Sequence, residues 1–179
     1  MVRPAVFLDR DGVINANLER DGRPVAPTAL SEFRLLPGVE DAVRRLREAG
    51  YLVIVVTNQP DVATGRTPRA TVDAMHDVLR ARLGVDDIKI CYHTDADACG
   101  RRKPKPGMIL AAAREHGIDQ ARSYMVGDRW RDVAAGRAAG CLTIFVDHGY
   151  EQEGPNEPHH VVASLSEAAS IILTGSTAR

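Results

Sequence analysis

Short apolar runs that break off into polar or acidic residues recur along this chain, and they constrain its fold more than any other feature. Val6-Phe7-Leu8 runs into Asp9-Arg10-Asp11-Gly12, Leu52-Val53-Ile54-Val55-Val56 into Thr57-Asn58-Gln59, Tyr124-Met125-Val126 into Gly127-Asp128, and Leu142-Thr143-Ile144-Phe145-Val146 into Asp147. A continuous β-branched run such as 52–56 marks a strand buried on both faces, as in the middle of a parallel sheet. Buried strands cannot carry unpaired carboxylates, so the acids belong at strand C-termini, where open parallel sheets place ligands.

Between these runs the apolar spacing turns helical. Val39, Ala42, Val43 and Leu46 follow Pro37-Gly38 and stop at Gly50. Val72, Met75, Leu79 and Leu83 follow Thr67-Pro68, which predicts a threonine N-cap with proline in the first turn. Ile109 to His116 stops at Gly117 and Asp132 to Ala139 at Gly140, glycine being the usual helix terminator. Ile88 to Cys91 reads as a short strand, Val161-Val162 as an edge strand, and Leu165 to Leu173 as a final helix. Residues 15–37 are polar and carry Pro24, Pro27 and Pro37, so they read as a loop, and long loops in compact domains are often functional. Strands alternating with helices predict an α/β fold: a single Rossmann-like three-layer α/β/α domain over residues 1–179, with a mostly parallel sheet. A hydrophobic content of 44% in 179 residues is enough for its core.

A net charge of −1 gives no reason to expect nucleic acid or an anionic membrane as partner. The N-terminus lacks the apolar core of a signal peptide, and no apolar run approaches the ~20 residues of a membrane span, so a cytoplasmic protein is expected. With no heptad or large apolar stripe, the expected state is a monomer. Gly-x-Gly-x-x-Gly after the first strand is absent, and so is a phosphate loop ending in Gly-Lys-Ser/Thr, which weighs against dinucleotides and nucleoside triphosphates. Cys91, Cys99 and Cys141 cannot pair completely and argue for thiols or a metal over a disulfide framework.

The C-terminal ends of parallel strands share one edge. The fold therefore collects Asp9, Asp11, Thr57, Asn58, the loop bearing Lys103, Asp128 and Asp132 in one crevice. Asp-Gly alone is a common turn, but these elements in order at successive strand ends supply the parts of phosphoryl transfer through an aspartyl-phosphate. The pattern resembles the haloacid dehalogenase superfamily over roughly residues 5–147: Asp-x-Asp-Gly at 9–12, Thr57-Asn58, Lys103, and Gly127-Asp128-x-x-x-Asp132. The resemblance implies Asp9 as nucleophile and Asp11 as general acid and base. It implies Mg²⁺ held by Asp9, the Asp11 backbone carbonyl and Asp128, with Thr57 and the amides near Asn58 on the phosphoryl oxygens and Lys103 neutralising charge. Lys105 competes for the lysine's role, and Asp132 is divided between supporting the metal and capping the following helix.

About 45 residues separate Asp11 from Thr57, and about as many separate Thr57 from Lys103. Helices and strands consume most of both, so no cap domain is expected and substrate choice must come from loops. Arg10, Asn15, the Thr57-Asn58-Gln59 triplet and Arg102-Lys103-Pro104-x-Pro106-Gly107-Met108 look like the capless branch acting on heptose bisphosphates, which also includes a histidinol-phosphate phosphatase domain. That resemblance implies a small phosphorylated sugar as substrate, a heptose 1,7-bisphosphate cleaved to the 1-phosphate, with Gln59, Arg102 and Arg129 as substrate contacts. Histidinol phosphate is the alternative substrate, and a receiver-like phosphoacceptor or a zinc-loop interaction module the non-catalytic alternatives. The branch also carries a zinc loop, here residues 91–105, in which Cys91, His93 and Cys99 match three ligands while Arg101 stands at the fourth. A cation at that corner disfavours Zn²⁺, and Asp95, Asp97 or water are the substitutes.

Overall fold

Alternation along the first strand decides how the layers assemble. In the computed structural model, which describes residues 2–150 and 154–175, β1 (Ala5–Leu8) is buried along its whole length. Val6 and Leu8 face one core, and Ala5 and Phe7 face the other. Successive residues of a strand point to opposite sides, so four apolar residues in a row require cover on both faces.

The chain continues through a hairpin of β2 (Leu18–Arg20) and β3 (Arg23–Val25), α1 (Val39–Glu48), β4 (Leu52–Asn58), α2 (Arg69–Leu83) and β5 (Asp87–Cys91). It then forms α3 (Gly107–His116), β6 (Tyr124–Gly127), α4 (Trp130–Ala138), β7 (Leu142–Val146), β8 (His160–Val162) and α5 (Leu165–Thr174). The main sheet runs β5-β4-β1-β6-β7-β8, and every pairing in it is parallel. Helices α1, α2 and α5 cover the Val6/Leu8 face, and α3 and α4 cover the Phe7 face. Burying one such apolar side chain contributes roughly 1.5–3 kcal/mol. The expected three-layer architecture is therefore the observed one.

Strand order reverses about β1, with β4 and β5 to one side and β6 to β8 to the other, which opens the crevice at the β1 C-terminus. Gly136 lets α4 close onto the sheet, since a Cβ there would lie 2.6 Å from Met125 Cβ and 2.8 Å from Thr143 Cγ2.

Two local expectations need correction. Residues 15–37 are not all loop: β2 and β3 pair antiparallel across Asp21-Gly22, both at positive φ, and Leu30–Glu32 forms a 3₁₀ turn. Thr67 does not cap α2; the helix begins one residue later than that reading requires, behind Pro68, with no side-chain cap bond, and Thr67 Oγ1 is buried without a partner among the described residues. No helix among the described residues is long and apolar enough to cross a membrane.

Candidate active site

Every acid that the strand ends placed in the crevice is there. Asp9 follows β1, Asp128 follows β6, and Asp132 lies in the first turn of α4. Their carboxylate oxygens approach within 4.8 Å of one another. Lys103, on the loop after β5, reaches into this cluster with Nζ 2.8 Å from Asp9 Oδ1 and 2.6 Å from Asp132 Oδ1, and donates a third bond to the Val56 carbonyl at 2.8 Å. Lys105 instead donates outward to the Ala98 carbonyl, so Lys103 is the lysine of the site. Asn58 at the end of β4 fixes it: Asn58 Nδ2 donates to the Lys103 carbonyl and Asn58 Oδ1 accepts from the Lys103 N–H, both at 3.1 Å.

Asp132 serves both roles left open for it. One oxygen pairs with Lys103, and the other accepts from the Arg129 N–H at 3.0 Å across the start of α4. Gly127 allows this, since a Cβ at that position would collide with the Asp132 side chain. Gly12, at φ +84°, likewise has no room for a Cβ beside Asp128 Oδ2.

Asp11 is held from behind. The buried Arg10 turns its guanidinium onto it, Nε and Nη2 donating to Asp11 Oδ1 at 3.1 and 2.9 Å and Nη2 to Oδ2 at 3.0 Å. Asn15 and Gln59 add donors at 2.9 and 2.7 Å. Burial alone would raise the Asp11 pKa, but the Arg10 charge and these bonds outweigh it and hold the carboxyl below its usual range. Gln59 was expected to touch substrate; it is buried and spends its amide on Asp11 and on Thr57 Oγ1, 2.9 Å away. Thr57 is buried too, so its hydroxyl sits behind the cleft wall that Asn58 forms.

The electrostatics of the cluster call for a cation. Burial, followed by the Asp132 and Asp11 carboxylates, pushes Asp9 up to about 7, and burial with Asp9 and Asp132 pushes Asp128 up to about 8. Burial would depress Lys103, but Asp132 and Asp9 more than compensate and keep it charged. With all three acids ionised, three carboxylates face the Lys103 ammonium and the Arg129 guanidinium, whose Nε lies 3.4 Å from Asp128 Oδ2. Asp128 Oδ1 is also buried with no hydrogen-bond partner among the described residues. An orphaned hard oxygen in a cluster where acids outnumber cations fits a divalent ion of the Mg²⁺ type.

The cleft over these groups encloses about 170 Å³, below the roughly 300–1,000 Å³ of pockets that swallow a whole ligand. That space is large enough for a phosphoryl group and too small for a whole sugar phosphate. Residues missed by sequence reasoning lie at the mouth of the cleft, as Asn17 does, or brace the residues around it. Asn17 donates to Asp128 Oδ2 and to Tyr150 Oη, both at 3.1 Å, and His148 Nε2 meets the Gly12 carbonyl at 2.6 Å. Arg129, expected as a substrate contact, borders the cleft, stacks over the Tyr150 ring and donates to the Pro24 carbonyl. Arg102, expected to do the same, is turned away: Nε bonds to Asp95 and Nη1 to the His93 carbonyl. Arg131 occupies the rim instead.

Cys91, His93 and Cys99 do come together on the loop after β5, with Cys91 Sγ 3.9 Å from His93 Nδ1 and 4.0 Å from Cys99 Sγ. The proposed fourth ligands are engaged elsewhere, Asp95 with Arg102 and Arg131 and Asp97 with Thr94. The Arg101 N–H meets Cys99 Sγ at 3.4 Å and is the main influence bringing that thiol down to about 7.

The model of the haloacid dehalogenase-like hydrolases matches residues 14–140, starting after Asp9 and Asp11. A D-glycero-β-D-manno-heptose-1,7-bisphosphate 7-phosphatase of Rhodopseudomonas palustris is 41% identical, covering 77% of this chain and 80% of its own. A D-glycero-D-manno-heptose-1,7-bisphosphate 7-phosphatase of Thermosynechococcus vestitus is 35% identical over 97% of both chains. Among solved structures, a D,D-heptose 1,7-bisphosphate phosphatase from B. bronchiseptica, complexed with magnesium and phosphate, superposes with a TM-score of 0.84 at 34% identity, covering 97% of this chain and 99% of that one.

Proposed function

Starting from the fact that this chain belongs to the haloacid dehalogenase-like hydrolases, we propose that it is a phosphatase that removes the 7-phosphate of D-glycero-D-manno-heptose 1,7-bisphosphate to leave the 1-phosphate. The observation that carries the reading is the buried cluster of Asp9, Asp128, Asp132 and Lys103 beside the separately held Asp11. Relatives matched over nearly the whole chain and named for this substrate support the choice of sugar.

In this reading an Asp9 carboxylate oxygen attacks phosphorus, forming an aspartyl-phosphate as the bond to the sugar oxygen breaks. Asp11 passes a proton to that departing oxygen. Arg10, Asn15 and Gln59 hold the Asp11 carboxyl below its usual range in the free protein; the negative charge of an arriving phosphate opposes that depression, so Asp11 takes up a proton from solvent as substrate binds and has it to give. Asp11 then takes a proton from the water that attacks the aspartyl-phosphate, and free phosphate leaves with Asp9 restored. Lys103 balances charge on Asp9 and on the phosphoryl oxygens, while the backbone near Asn58 borders the phosphate and Thr57 supports that wall from behind. Asp9, Asp128 and the Asp11 carbonyl would hold Mg²⁺, which when bound would supply the positive charge that lets these anions and a phosphate coexist. Asp132 orients Lys103 and Gln59 orients Asp11, each acting through its neighbour.

The enzyme works as one capless domain, a cytoplasmic monomer, with Arg129 contacting the sugar side of the substrate. Cys91, His93 and Cys99 would hold Zn²⁺ as three clustered donors, where the ion would tie the loop after β5 together. Metal analysis of the purified protein tests this, and a sample holding no zinc removes it. A phosphate-release screen with Mg²⁺ over both heptose bisphosphate anomers, histidinol phosphate and simple sugar phosphates tests the substrate. The bisphosphates should give the highest kcat/KM; a preference for histidinol phosphate would replace the assignment.

A further inference from the structure

A general acid passes its proton only if its carboxyl is held where the leaving oxygen arrives, and for Asp11 five side-chain hydrogen bonds do the holding; this inference rests on the phosphatase reading above. Arg10 supplies three of the five, from Nε and Nη2 to Oδ1 and from Nη2 to Oδ2, while Asn15 and Gln59 supply one each. Where Asp11 points therefore depends mainly on where the Arg10 guanidinium lies. That guanidinium is buried, with Cζ 5.7 Å from the centroid of the Phe33 ring. Its far end, Nη1, has one hydrogen-bond partner among the described residues: Nε2 of His76, 3.2 Å away.

Helix α2 brings His76 to that point across 66 positions of chain, on the same buried face as Val72, Met75, Leu79 and Leu83. A guanidinium can only donate, so Nε2 is the acceptor and the neutral ring carries its proton on Nδ1. Burial, followed by the Arg10 charge, lowers the pKa of the ring to about 4, which keeps the acceptor available at neutral pH. Nδ1 is buried with no hydrogen-bond partner among the described residues. Leucine or methionine would fill this place on α2 without burying an orphaned N–H, a costly feature that packing alone does not explain. What neither could supply is an acceptor for Arg10. We propose that His76 is a positioning residue of the reaction, which fixes the far end of the Arg10 guanidinium and through it sets where the Asp11 carboxyl meets the leaving oxygen.

The test measures kcat and KM for heptose 1,7-bisphosphate with Mg²⁺ in the full-length protein, each rate normalised to the folded fraction. The wild type is compared with His76→Leu, His76→Asn, His76→Gln, Arg10→Met and the double variant His76→Leu/Arg10→Met. His76→Leu should lower kcat roughly ten- to a hundredfold with KM within about twofold of the wild type, the pattern of a reacting group out of place rather than of weaker substrate binding. His76→Asn, whose amide ends where Nδ1 does, should lose as much, and it carries the comparison if the leucine variant does not fold. His76→Gln, whose amide oxygen reaches the place of Nε2, should recover most of the rate. In the Arg10→Met background the leucine substitution should change kcat by less than about twofold, because the contact it removes is already gone. The assignment is overturned, while the phosphatase reading stands, if His76→Leu or His76→Asn keeps the wild-type kcat or if His76→Gln loses as much as they do. An equal loss from the leucine substitution with and without Arg10 overturns it too. If the wild type releases no phosphate from the bisphosphate, the phosphatase reading fails and takes this one with it.

Discussion

Asn58 and Lys103, 45 positions apart, bond to each other in both directions, side-chain amide to backbone N–H and carbonyl, each at 3.1 Å. Through this pairing the end of β4 sets where the lysine enters the acidic cluster. Asn58→Ala removes both bonds, leaves two partly buried backbone groups unpaired, and should cost about 1–3 kcal/mol in denaturant unfolding. It should also lower kcat roughly ten- to a hundredfold, because a displaced ammonium no longer meets Asp9. An unchanged kcat would show that Lys103 is positioned by other means.

Lys103→Met keeps an unbranched side chain one atom shorter and takes the ammonium away from Asp9 and Asp132. Leaving buried carboxylates unpaired costs about 3–5 kcal/mol, so the variant should melt well below the wild type in the presence of a chelator. Added Mg²⁺ should recover more stability in the variant than in the wild type, since the cation then answers a larger excess of negative charge. Phosphate release should fall on the order of 10²–10³-fold. Equal thermal shifts with Mg²⁺ in both proteins would contradict this account of the cluster.

His76, on α2, accepts from Arg10 Nη1 at 3.2 Å, and burial followed by the Arg10 charge lowers its pKa from 6.5 to about 4. Between those values the unfolded chain binds a proton that the native state refuses, so stability rises with pH across this window. The contribution is fully present above about pH 6.5 and is lost as pH falls toward 4, an effect on the order of 3 kcal/mol. His76→Gln keeps an acceptor for Arg10 without the titration. The stability difference between wild type and variant should therefore change in the wild type's favour from pH 4 to 7, as read by urea unfolding. A difference that stays constant would show that His76 does not titrate on unfolding.

The sheet and the acids gathered at its edge were legible because each rests on a local signal. A β-branched run followed by an acid locates Asp9 and Asp128 at strand ends, and parallel topology does the rest. The hairpin at 18–25 was hidden by Pro24 and Pro27, although Asp21-Gly22 between Arg20 and Arg23 is a hairpin signal. The support of the site was not legible. Asn17 meets Asp128 across 111 positions, His148 meets Gly12 across 136, and Arg131 is held by Asp95 across 36. Such pairings are products of the assembled sheet edge and leave no pattern in the intervening chain. The same holds for Arg102, whose basic motif suggested a substrate contact until its partners on the loop after β5 were visible.

Whether Asp9 carries the phosphoryl group is read by quenched single-turnover hydrolysis of a bisphosphate labelled at its 7-phosphate. With Mg²⁺, acid quenching of the wild type should trap label on the peptide containing Asp9. Asp9→Asn should trap none and release no phosphate. Label on another residue, or wild-type turnover by Asp9→Asn, would contradict the account.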